Sequence, residues 1–104
     1  MEIVKGKYGY NIRLTVKDKL DNVVDLTGVT RVVLNIADIK NNRNVMAGEC
    51  SEVDYSTGKV KYTVQPDDVT FSAGVYVGSV QLVYSTKDVE TKQFYVTVRE
   101  KLSI

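Results

Sequence analysis

The sequence predicts an all-β protein, an antiparallel β-sandwich of about seven strands with one short helical turn. Three observations carry that reading. Apolar residues recur with a period of two, not 3.6, in five separate runs. Polar turn signals separate those runs at the spacing of an all-β sandwich. Each run has one apolar face and one wet face, as strands need if two layers are to close over a shared core.

Taken in order, Tyr8, Tyr10, Ile12, Leu14 and Val16 alternate with polar or small neighbours and form the first long strand. Residues 18–22 close it. Thr27-Gly28 precedes the next, whose inward set is Val32, Leu34 and Ile36. Residues 40–44 are a polar tip. Residues 45–53 alternate poorly and read as a shorter edge strand. Residues 54–58 form a turn that ends on Gly58, where a positive φ is wanted. Val60, Tyr62 and Val64 point inward from the strand that follows. Pro66-Asp67-Asp68-Val69 places Pro at a first helical position with acids behind it, which predicts one turn of helix. Tyr76, Gly78, Val80, Leu82 and Tyr84 line the next strand, residues 85–88 make a hairpin, and Phe94, Val96 and Val98 line the last.

A length of 104 residues makes this one domain spanning 1–104. Fourteen basic residues against thirteen acidic ones exclude a general electrostatic grip on nucleic acid or on an anionic membrane. No apolar run approaches the roughly 18–20 residues of a membrane-spanning helix, and the opening Met1-Glu2-Ile3-Val4-Lys5 does not read as a signal peptide. A single cysteine, Cys50, leaves no intrachain disulfide and no cysteine cluster for a metal.

The chain has no His, and so lacks the commonest general base and metal ligand at neutral pH. Asp67-Asp68 reads as a helix start rather than a catalytic pair. Asp18, Asp21 and Asp25 read as turn residues, since their spacing matches no calcium loop. Gly28 and Gly58 lie in no phosphate-binding pattern. Cys50 has no His to activate it and reads as a packed residue. The expectation is therefore a protein that is not an enzyme and holds no cofactor and no metal.

Phe71-Ser72-Ala73-Gly74-Val75-Tyr76-Val77-Gly78 is the most specific local signature. Gly74 and Tyr76 fit a tyrosine corner, in which the hydroxyl bonds back to upstream backbone. An antibody domain would carry a Cys two residues on, where Gly78 stands, and a Trp that this chain lacks. The sandwich is thus predicted to be immunoglobulin-like without being of antibody type.

Read as a whole, "YNIRLTV", "VVDLTGVTRVVLNI", "STGKVKYTVQPDDVTFSAGVYVGSVQLVY" and "KQFYVTVRE" resemble the immunoglobulin-like N-terminal domain of phage baseplate upper proteins and related small virion domains. Asp25-Leu26-Thr27-Gly28 matches one element of that pattern. Gly58, Val60, Tyr62 and Gly74-Val75-Tyr76 match another. The large proteins of that family continue into oligomerising segments, whereas this sequence ends at Ile104. The resemblance implies a structural virion protein, a tail or baseplate accessory or a capsid-associated one, made in the host bacterial cytoplasm. It implies no catalytic residues.

Val33, Val75, Val77, Val83 and Tyr95 break the alternation on faces that should be wet. They are the candidate interface, with Leu102 and Ile104 as a tail anchor. The expected partners are other virion proteins, of tail, baseplate or capsid, and further copies of this chain, with no nucleic acid and no membrane. The alternative is a carbohydrate- or cell-surface-binding module that uses residues 41–44 and 54–58, with Tyr55 as a stacking platform.

Overall fold

The computed structural model describes residues 1–100, without the side chains of Glu52 and Glu90. Among them it has nine strands and no helix: β1 Glu2–Val4, β2 Asn11–Thr15, β3 Arg31–Asp38, β4 Arg43–Glu49, β5 Ser51–Asp54, β6 Lys59–Thr63, β7 Gly74–Val83, β8 Asp88–Glu90 and β9 Phe94–Arg99. The larger sheet runs β1-β9-β7-β3-β4, with β8 also on β7; the smaller runs β2-β6-β5. All pairs are antiparallel except β1 with β9, where Ile3 meets Val98 in parallel. This is the strand arrangement of an immunoglobulin-like sandwich, with the first strand moved across to the last.

The count exceeds seven for two reasons. Strand β1 is three residues long and too short to show a period. Strands β8 and β9 lie end to end along one side of β7, against residues 81–83 and 74–78, and residues 91–93 interrupt them. There the buried Thr91 hydroxyl donates to the Val80 carbonyl at 2.9 Å.

Three expectations need correction. The first long strand starts at Asn11, not Tyr8. Gly6 and Gly9, at φ +79° and +84°, bend the preceding segment out of extended form, and Tyr8 stands in solvent. Residues 45–53 are not one edge strand. Strands β4 and β5 divide at Cys50, where the chain leaves one sheet for the other, and the Cys50 N–H donates to Val32 O at 2.7 Å. Finally, Pro66 opens no helix. The Asp68 N–H returns to Gln65 O at 3.1 Å, and one turn is all that forms. The Asp68 carboxylate accepts from the Gln65 N–H at 2.7 Å and from the Tyr62 hydroxyl. It ties the turn to β6 instead of facing a helix N-terminus.

The core lies between the sheets. Leu34, Ile36, Leu82 and Val96 from the large sheet meet Ile12, Val60, Tyr62 and Val64 from the small-sheet side. These are the inward residues of the period-two runs. Leu26 joins them from a loop and is fully buried. Along the seam between β2 and the β8–β9 line, Lys92 acts as a clasp. Its N–H donates to Lys17 O at 3.0 Å, and its ammonium lies 2.9 Å from Asp21 Oδ1.

At the start of β7 the Tyr76 hydroxyl donates to Ser72 O at 2.6 Å, four residues upstream. That bond defines a tyrosine corner. Gly74 holds φ at +153°, outside the range of other L-residues, as the chain enters the strand. Phe71 packs edge-on against Tyr76, ring centroids 4.9 Å apart. Tyr76→Phe is expected to lower the unfolding free energy by about 0.5–1.5 kcal/mol in urea titration with the slope unchanged. No change would mean that the bond contributes nothing.

Candidate functional site

The two sheets present unlike outer faces. On the small sheet, the outward residues of β2 are Asn11, Arg13 and Thr15, and those of β6 are Lys59, Lys61 and Thr63, in direct register. That face is polar and cationic. On the large sheet, Val77 of β7 stands between Ala37 of β3 and Tyr95 of β9, and Val75 lies beside Thr97. Tyr95 is 72% exposed and Val75 65%. Scattered surface apolars need no explanation, but neighbours in register across three strands form a patch.

The sequence candidates divide on inspection. Val75 and Tyr95 are fully presented; Val77 and Val83 are half-buried. Val33 is a correction: it faces outward yet is only 9% exposed. It stands in register between Gln81 and Glu49, and Arg31, two residues back on the same face, pairs with Glu49 at 3.5 Å. Long side chains on both sides cover it with their stems. Leu102 and Ile104 lie outside the described residues.

Sequence reasoning missed Ile39. It follows Ala37 by two residues in the β3–β4 turn and is 61% exposed, at the same end as Val75. The signal was present, since Ile39 continues the outward period of Ala37, but the neighbouring polar tip concealed it. One exposed ion pair borders the patch, Glu2–Arg99 at 2.8 Å, with Glu2 in register with Thr97. Such pairs contribute little to stability but give a face a charged rim.

The other groups weighed in the sequence have local duties. Asp18 Oδ1 accepts from the Leu20 and Asn22 N–H groups, each at 2.9 Å. Asp25 Oδ1 accepts from the Thr27 N–H at 2.9 Å and the Thr27 hydroxyl at 2.6 Å. Those bonds hold the Asp25 carboxyl below the usual carboxylate range. Asp21 is lowered by its hydrogen bond to Lys92 first and by the charge of Lys17 next. The three carboxylates thus serve separate turns and a clasp. Among the described residues, no group of three or more His, Cys, Asp or Glu stands together to hold a metal ion.

Burial pushes the Cys50 thiol up to about 11, which leaves it a packed residue with little thiolate at neutral pH. Tyr62 is raised as well, first by burial and then by its bond to Asp68. The loops of the carbohydrate reading are not brought together. Residues 41–44 lie at the Asp38 end of β3, whereas residues 54–58 lie at its Arg31 end, where Tyr55 O accepts from Leu26 N–H at 2.9 Å. A groove of about 410 Å³ runs along the clasped seam, lined by Leu14, Val80 and Phe94 among others, away from the apolar patch. Among the described residues, no helix is long and apolar enough to cross a membrane.

No protein-family model matches the sequence, and no curated protein matches it. The crystal structure of CopC from Methylosinus trichosporium OB3b is similar to this chain at a TM-score of 0.52 and 13% identity, covering 99% of this chain and 86% of that one. At that identity the likeness speaks to the fold alone, which is an immunoglobulin-like β-sandwich.

Proposed function

We propose that this chain is a non-enzymatic structural protein of a phage particle, a tail or baseplate accessory or a capsid-associated protein, that works by seating the outer face of its larger sheet on a repeated surface. The observation that carries the proposal is the contrast between the two outer faces. Val75, Val77, Tyr95 and Ile39 give one of them an apolar end, while Arg13, Lys59 and Lys61 keep the other wet. The resemblance to virion immunoglobulin-like domains supports the choice of particle. Synthesis in the host bacterial cytoplasm and residence in the virion belong to the same reading.

A patch of this size gives only modest affinity at one site. Repetition on a particle surface multiplies such contacts into firm attachment when several copies are linked. The test is incorporation. Particles assembled with a Val75→Lys/Tyr95→Lys variant should carry at least about tenfold less of the protein by quantitative mass spectrometry, equivalent to about 1.4 kcal/mol. Both positions are exposed, so the variant should melt like the parent. Undiminished incorporation, or absence of the wild-type protein from purified particles, would overturn the reading.

A further inference from the structure

Strand β2 ends the small sheet, and no strand pairs with its outer edge among the described residues. The bonds from Val64 N–H to Tyr10 O and from Val16 N–H to Gly58 O set the alternation of its ladder with β6. Ile12 and Leu14 therefore turn their N–H and C=O groups toward β6, while Arg13 and Thr15 turn theirs outward. The next outward group, Lys17 O, already accepts the Lys92 N–H at 3.0 Å. The chain itself thus uses one end of this edge as a sheet uses a neighbour. Between Asn11 and Thr15 no proline and no register shift blunts it.

Beside the edge lies the groove of the clasped seam, with Leu14 on the near side and Val80 and Phe94 on the far side. Leu14 and Phe94 pack on the core but are only partly buried. A strand laid along β2 would turn alternate side chains into this groove and the others out beside Arg13. The charges around it are unbalanced. Asp21 alone answers both Lys17 and Lys92. Lys19 stands next to Lys92 at the mouth of the groove, and neither Lys19 nor Arg13 has an acidic partner among the described residues. Nearby acids are engaged locally: Asp18 accepts from its own turn, and Asp54 from the Ser56 hydroxyl. We infer that the β2 edge and the seam groove receive an extended segment of another protein, with apolar and acidic residues at alternate positions. Its apolar side chains rest on Leu14 and Phe94, and its carboxylates meet Arg13 and the lysines. A second copy of this chain brings the same cations to the same edge and is repelled, so charge selects the occupant. This site goes beyond the particle reading and uses a different surface, because the apolar patch stays uncovered.

The probe is a fluorescein-labelled peptide of about four Glu-Val repeats, long enough to span β2, read by anisotropy against the full chain. It should bind in the micromolar range and weaken with salt, and Lys-Val repeats should not bind. Only one set of its N–H groups faces β2. N-methylation at every Glu or at every Val should therefore abolish binding in one case and spare it in the other. Thr15→Pro removes an outward N–H and no hydrogen bond to β6. It is expected to abolish binding while the far-ultraviolet spectrum holds. Arg13→Glu should raise the dissociation constant at least about tenfold, and it covers the case in which Thr15→Pro fails to fold. No binding at about 1 mM chain would overturn the inference and leave the particle reading standing. Binding indifferent to both substitutions would overturn it too. Equal displacement by an oligothymidylate would overturn it by showing a grip on charge alone. If the chain self-associates and Thr15→Pro abolishes that, the edge takes a second copy and the acidic occupant is overturned.

Discussion

Gly48→Ala should lower the stability of this domain by about 3 kcal/mol, although it adds a single methyl group. A Cβ at Gly48 would overlap the ring of Tyr62, which packs across from the small sheet and is 6% exposed. Nor can the ring move away freely, because its hydroxyl bonds Asp68, which in turn holds the Gln65 turn. Relief of the overlap must break that chain of contacts or shift β4. Urea titration of the single variants and of Gly48→Ala/Tyr62→Ala completes a double-mutant cycle. In the Tyr62→Ala background the glycine substitution is expected to cost less than about 0.5 kcal/mol, since Ala suits a strand better than Gly. Equal cost in both backgrounds would show that the ring is not the reason for the glycine.

Leu26→Ala comes next, with an expected loss of about 2–5 kcal/mol. Leu26 lies in no strand, yet its side chain is completely buried. Its N–H donates to Tyr55 O and its carbonyl accepts from Val29 N–H, so the loop is pinned at both ends and cannot collapse into the space left behind. Leu20→Ala is the control. Leu20 is 82% exposed in the preceding turn and should change stability by no more than about 0.5 kcal/mol. Similar costs for the two would mean that Leu26 is not part of the core in solution.

Leu26 and Leu20 also mark a boundary of what the residue order reveals. Both are leucines in turn-rich stretches, and no local pattern separates them. Their difference arises from residues 54–58, some thirty positions along, closing over Leu26. Gly48 is similar: it reads as a break in a poorly alternating segment until Tyr62 is placed above it. The interface candidates divide in the same way. Val75 and Tyr95 were legible because their outward direction follows from the period alone. Val33 has the same period and direction, and only the lengths of Gln81, Glu49 and Arg31 beside it decide that it is covered.

Alternation along single strands determined the all-β class, the inward residues and the outward apolar set. Steric direction in a strand is a property of consecutive residues, which any stretch of sequence displays. The tyrosine corner was legible for the same reason, as Ser72 and Tyr76 lie four residues apart. Sheet order, the crossing at Cys50 and the clasp of Lys92 on Asp21 were decided by the tertiary structure. Each depends on which distant strands come to lie side by side, and pairing energies between strands belong to two segments at once, not to either one alone.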